Sequence, residues 1–160
     1  MAKKTKIKKT LVEQILTKSK IPYKGLQINA LEGQLSKGIE RSQIYKTLAL
    51  TGDKTGTIIG ILPITEHLAE KKLAKISGNK KVSMIPQKDL EKTTGYIHGA
   101  NNPVGIRQKH HFPIYIDNSA LTDETIIVSA GELGHSIEIN AEDLAHFVEA
   151  TFADLKEDSK

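Results

Sequence analysis

The 160-residue sequence contains no cysteine and no tryptophan, and its phenylalanines and tyrosines total seven. Without Cys there are no disulfides, no thiolate metal sites and no Cys nucleophile, a pattern that suits a reducing compartment. With so few aromatics, an open stacking platform for single-stranded nucleic acid is not expected. No apolar run approaches the roughly 18 residues that a membrane span requires. The N-terminal MAKKTKIKKT lacks the apolar region of a secretory signal, so a cytoplasmic protein is expected. The sequence also lacks a GxSxG nucleophile elbow, a GxGxxG fingerprint and a GxxxxGK[ST] phosphate loop. His110 and His111 are neighbours, which on a strand point to opposite faces and cannot chelate one metal, so neither a metal nor a cofactor is expected.

What is present is an ordinary hydrophobic fraction of 38% and a net charge of +4 that is unevenly spread. Residues 1–10 carry five Lys and no acid, residues 71–111 nine basic and two acidic side chains, and residues 112–160 two basic and eleven acidic. This asymmetry suggests a polyanion touched by one part of the molecule. On charge alone, KKLAKISGNKK reads as well as the solvated face of a helix and turn. The length suits one domain, with residues 1–9 a basic flexible tail and 10–160 the folded part.

Periodicity predicts a helix over KKTLVEQILTKSK, capped by Thr10, with Leu11, Ile15 and Leu16 inward, and stopped by Pro22. A short strand is expected around Gly25–Asn29, then a short helix ERSQIYK leading into the strand TLAL. After a GDKTG turn, TIIGILP has the continuous apolar character of a buried strand. Residues 66–77 predict an amphipathic helix with Leu68, Leu73 and Ile76 inward, ended by Gly78. KVSMI, PIYID, ETIIVSAG and SIEI read as strands; PQKDLEKTT and AEDLAHFVEATF read as helices, the second capped by Asn140. About six or seven strands and five helices in irregular order point to an α+β domain, a mixed and mostly antiparallel sheet curled around one core.

Two features carry chemical interest. TGYIHGANNPVGIRQKHH concentrates Gly, Pro and Asn between Gly95 and Gly105, as either a sharp turn or the wall of a site. Lys46, expected where a short helix meets TLAL, is either a snorkelling cation or a functional one.

These features fall together in a resemblance. IYKTLAL, LAEKKLAKISGNKKVSM, TGYIHGANNPVG with its GxxxPxG spacing, and IIVSAGELGHSIEI, in this order, resemble the YbaK/EbsC family of aminoacyl-tRNA editing deacylases through nearly the whole chain. The likeness is to the YbaK-type enzymes that act on Cys-tRNA(Pro) and to the Gram-positive branch named EbsC. The resemblance implies a free-standing editing fold with no cofactor. It implies a mischarged tRNA bound by its acceptor end, and prolyl-tRNA synthetase as a possible partner. Lys46 is implied as the catalytic residue, with Thr47, Gly99, Ala100, Asn101, Gly105, Ser129, Gly131 and Ser136 forming the substrate pocket. The implied reaction is substrate-assisted, the thiol of a cysteinyl group attacking its own ester. On that reading a bulky residue at Ala100 would fill space reserved for the ester. Two positions depart from the family pattern: Ser136 stands where an Asp is common, and Ile28 where a Tyr is common. They leave open Cys or another small residue such as Ala as the amino acid removed, and a non-catalytic tRNA- or synthetase-binding module as the alternative.

Overall fold

The computed structural model describes residues 9–27 and 39–158. Ile28, the end of the strand expected at Gly25–Asn29 and most of the basic tail lie outside these residues. The first helix, α1 (Leu11–Lys18), starts as its sequence dictates: Glu13 N–H donates to Thr10 Oγ1 and the Glu13 carboxylate accepts from Thr10 N–H, a reciprocal capping box. Its inward face differs from the expected one. Val12 and Leu16 are buried, Ile15 is partly so, and Leu11 is exposed, because the helix turns the 12–16 pair onto the core.

The chain continues through β1 (Tyr23–Leu26), a 3-10 turn at Arg41–Gln43, β2 (Tyr45–Gly52), β3 (Gly56–Pro63) and α2 (Glu70–Ser77). It then forms β4 (Val82–Met84), α3 (Gln87–Thr94), α4 (Pro103–Lys109), β5 (Ile114–Asp117) and α5 (Ser119–Asp123). The last elements are β6 (Thr125–Glu132), β7 (His135–Asn140), α6 (Ala141–Val148) and β8 (Thr151–Ala153). Among the described residues there are thus eight strands in two sheets, β1-β7-β6 and β4-β2-β3-β5-β8. The smaller sheet is antiparallel throughout; the larger is antiparallel across β4-β2-β3 and parallel across β3-β5-β8. A parallel bridge between Ile44 and Ile127 stitches them together.

The apolar run of β3 is buried as read: Ile58, Ile59, Ile61 and Leu62 are fully enclosed. Ile59 and Ile61 join Tyr45, Val128, Ile137 and Ile139 and the inner faces of α1, α4 and α6 in the principal core, while Ile58 packs with Leu50 and Leu73 in a second cluster. Gly78 ends α2 in the left-handed region and Asn140 caps α6 by accepting from Asp143 N–H, both as expected. In α2, Leu73 is buried but Ile76 is exposed, since the helix starts only at Glu70 and Leu68 lies on the segment before it.

Three elements were not apparent in the sequence. α4 sits where a loop was expected, α5 is a single short helix, and β8 is only three residues long. Their lengths fall below what periodicity resolves. The predicted helix ERSQIYK reduces to the 3-10 turn, and β2 already begins at Tyr45, so Lys46 lies within a strand paired with Leu62 rather than at a helix-strand junction. β-branched and aromatic neighbours favour the strand, and the partner β3 supplies its hydrogen bonds.

Candidate active site

A cleft of about 490 Å³ opens where β2 of the larger sheet faces the β6-β7 hairpin of the smaller one. β2 supplies Tyr45 to Ala49 as one wall, and Ser129, Gly134, His135 and Ser136 form the facing wall. Met84, Ile85, Gln87 and Leu90 line another side, while His98, Gly99 and Asn101 come from the loop between α3 and α4. The position follows from the topology. The Ile44–Ile127 bridge brings the sheets together beside the start of β2, so residues that follow Ile44 and Ile127 by a few positions flank the same gap.

The loop at 95–102 is both a turn and a wall. Gly99 has φ +92°, a conformation that an L side chain resists, and Ala100 N–H closes a turn by donating to Ile97 O at 3.0 Å. The chain then enters α4 through a firm cap. Asn102 accepts from Gly105 N–H at 2.6 Å and donates to Ala100 O at 3.0 Å, with Pro103 following in the first turn. Gly105 is required for packing: a Cβ there would overlap the Tyr96 hydroxyl. Asn101 points the other way and donates from Nδ2 to Thr47 O at 3.0 Å, tying the loop to β2. Two buried side-chain atoms at this junction have no hydrogen-bond partner among the described residues, Thr47 Oγ1 and Asn101 Oδ1.

Six of the nine residues expected in the pocket therefore line the cleft: Lys46, Thr47, Gly99, Asn101, Ser129 and Ser136. Ala100, Gly105 and Gly131 do not. Ala100 is only 4% exposed, so it is enclosed rather than open to the cleft. Gly131 stands at a register irregularity in β6 with φ +93°, where a Cβ would crowd Val12. Its role here is indirect, because Gly131 N–H donates to Ser129 Oγ at 3.1 Å and so orients that hydroxyl.

Lys46 is half-buried and its Nζ donates to Glu66 O at 2.6 Å. Burial lowers the pKa of its ammonium from the ordinary lysine value, and the Glu66 carboxylate opposes the shift. On the same wall the Tyr45 hydroxyl donates to Asp123 Oδ2 at 2.7 Å and lies 2.8 Å from Ser119 Oγ. Burial pushes this phenol upward, so it stays protonated and fixed.

Sequence reasoning had not singled out Arg41, His98, His135 or the apolar Met84, Ile85 and Leu90. His98 and His135 sit inside the motifs GYIHGANNP and GELGHSIEI, a signal that was available. Arg41 and Met84 come from separate elements that only folding brings near. Among the described lining residues, Arg41, Lys46, His98 and His135 carry basic groups, and there is no carboxylate. Such a cleft attracts an anion and lacks the paired acids of a glycosidase or an aspartic protease. Its resources are hydroxyls, an amide, imidazoles, a lysine and main-chain groups around glycines. That inventory holds and orients a polar ligand.

Comparison with known proteins agrees with this inventory. A protein of Enterococcus faecalis named "Putative Cys-tRNA(Pro)/Cys-tRNA(Cys) deacylase EbsC" is 41% identical over 162 residues, covering 97% of this chain and 98% of that one. A crystal structure described as that of a putative trans-editing enzyme for prolyl tRNA synthetase superposes with a TM-score of 0.78 at 23% identity. It covers 92% of this chain and 95% of that one. A hypothetical protein superposes with a TM-score of 0.81 at 20% identity, covering 91% of this chain and 99% of that one. At these identities the two structures speak for the fold alone. Residues 29–147 match the aminoacyl-tRNA editing domain, and with the curated relative this establishes that the chain belongs to the aminoacyl-tRNA editing domain family.

Proposed function

We propose that this protein is a free-standing deacylase that removes cysteine from mischarged tRNA(Pro), with tRNA(Cys) as a secondary substrate. The observation that carries this reading is the cleft itself: a basic pocket between two sheets with no carboxylate among its described lining residues, floored by apolar side chains and edged by a glycine-shaped loop. The relative from Enterococcus faecalis, similar over nearly its whole length, supports the choice of substrate.

The chemistry follows from what the pocket contains. Cysteinyl ester brings its own nucleophile. Its sulfur attacks the ester carbonyl carbon, a C–S bond forms, and the C–O bond to the ribose breaks. The thiol proton passes to the departing ribose oxygen, and the products are cysteine thiolactone and free tRNA. The protein then needs mainly to hold the ester bent, with sulfur near carbon, and such orientation is worth about 7–11 kcal/mol. On this reading a main-chain N–H of the Gly99 loop, which edges the cleft, donates to the developing oxyanion. Lys46 acts as a point charge on a ribose or phosphate oxygen, exchanging its bond to the Glu66 carbonyl for one to substrate. A second amino-acid pocket of this kind is needed because a synthetase separates close isosteres by only about 1–3 kcal/mol. A prolyl-tRNA synthetase is the natural partner, since a protein of this size reaches the acceptor end but not the anticodon.

The two imidazoles, His98 and His135, favour one second reading, in which a water is activated and a residue without a thiol, such as Ala, is released hydrolytically. Deacylation of tRNA(Pro) charged with Cys, Ser or Ala separates the two. The first reading expects rapid loss of Cys with thiolactone as product and stalling with Ser. Comparable rates on all three with free amino acid as product support the second, and no turnover above the spontaneous rate refutes both.

A further inference from the structure

Thr47 and Asn101 form a recognition pair that the reaction outlined above does not use. Asn101 is 6% and Thr47 9% exposed, and both line the cleft. The orientation of the Asn101 amide is determined by its neighbour: the Thr47 carbonyl can only accept, so Nδ2 faces it and Oδ1 is turned away. Oδ1 can only accept. It and Thr47 Oγ1 are buried without a partner among the described residues. Each such group left unsatisfied costs about 1–3 kcal/mol, so a substrate that satisfies both is favoured by the contrast.

Oδ1 needs a donor, and the Thr47 hydroxyl can accept a hydrogen bond or donate one. A ribose hydroxyl serves both only by donating to Oδ1 while accepting from Thr47. The α-amino group of an aminoacyl ester brings two donors as the amine and three as the ammonium, enough to meet both oxygens as acceptors. With no carboxylate among the described lining residues, neutral oxygens are the acceptors that the cleft offers an amine. Lys46 follows Tyr45 and precedes Thr47 on β2, so its side chain leaves from the opposite face of the strand and engages Glu66 O, which separates its charge from the pair. We propose that Asn101 Oδ1 and Thr47 Oγ1 together receive the α-amino group of the aminoacyl ester, so that the cleft selects α-amino esters over esters that lack the amine. This inference rests on the reading of the cleft as an aminoacyl-ester pocket.

The test compares two esters of the same tRNA(Pro), cysteinyl and 3-mercaptopropionyl. The second keeps the thiol and lacks only the amine. Each rate is divided by that of the ester without enzyme. Wild-type protein is expected to prefer the cysteinyl ester at least tenfold in kcat/KM. In Asn101→Ala and Thr47→Val the preference falls to threefold or less, through loss on the cysteinyl ester alone. Thr47→Val keeps the main-chain bond from Asn101, so it carries the test even where Asn101→Ala melts too early to assay. A preference that survives both substitutions overturns the inference. So does a wild-type protein indifferent to the amine, whose pair is then satisfied by water or a ribose hydroxyl. Failure of wild-type protein to turn over either ester is a different result, and it overturns the deacylase reading itself.

Discussion

Replacing Lys46 with methionine separates the stability of this protein from its activity. In the fold the ammonium is half-buried and donates to Glu66 O at 2.6 Å. A hydrogen bond from a charged group contributes about 1.5–3 kcal/mol. Against this stands the desolvation that lowers the pKa of Lys46. A lysine whose folded pKa lies below its unfolded value weakens the fold at neutral pH. Between the two pKa values the unfolded chain binds more protons, so that contribution improves as pH rises. Lys46→Met removes both terms, and the freed Glu66 carbonyl lies on a part-exposed segment where water reaches it. The two effects oppose each other, so the expected change in Tm is small, each residual of about 1 kcal/mol moving it by about 2–4 °C in a chain of this size. Activity has no such offset. If the ammonium meets a substrate oxygen in the transition state, its loss removes about 1.5–3 kcal/mol, which is roughly 10- to 150-fold in kcat/KM. The pH profile adds a second signature. The charged form is the active one, so activity falls as pH rises through the lowered pKa, at a pH below that of an ordinary lysine. Lys46→Arg removes that alkaline limb. Single-turnover deacylation of Cys-tRNA(Pro), corrected for spontaneous hydrolysis, is read beside a melting curve. A Lys46→Met protein that is fully active at unchanged Tm refutes the assignment.

Ala100→Leu forces extra volume into an enclosed site, so it is expected to cost about 1–3 kcal/mol of stability while the rate per folded molecule holds; a tenfold rate loss at unchanged Tm would place Ala100 against substrate after all. Asn79 is buried and accepts from Lys54 and Thr55 N–H while donating to Thr55 Oγ1 and Ser77 Oγ. Asn79→Ala therefore costs about 2 kcal/mol, a fall of about 4–8 °C in Tm, with deacylation unchanged at assay temperature. Binding of tRNA weakens as salt rises because phosphate contacts release counterions. Within the basic block, Lys72 is held by Asp154 and Asp158, whereas Lys71, Lys75, Lys80 and Lys81 are exposed. Charge reversal at Lys80 and Lys81 is thus expected to reduce affinity and flatten the salt dependence, and Lys72→Ala is not. If deleting residues 1–9 instead removes the whole salt dependence, the block is a solvated face.

Much of this protein was legible in its sequence because the deciding physics is local. A threonine three residues before a glutamate made the capping box of α1, Gly78 stopped α2, Asn140 started α6, and an unbroken apolar run became the buried β3. The motifs around Lys46, Gly99 and Ser129 were sufficient to mark the family and most of the cleft. Tertiary structure decided what depends on partners distant in the chain. The division into two sheets rests on pairings such as β1 with β7 and β5 with β8: β1, β5 and β7 were readable as strands, but which strand lies beside which depends on residues far apart in the chain, and β8 is too short to announce itself. Lys46 became a strand residue because β3 lay alongside to pair with it, which no helical preference of ERSQIYK could reveal. Neighbouring residues of one motif parted company for the same reason. Asn101 faces the cleft through its bond to Thr47, while Ala100 before it packs inward and Asn102 after it caps a helix. Sequence names the residues that gather at a site; which atom of each faces the ligand is decided only when a strand 54 positions away in the chain supplies the carbonyl that orients it.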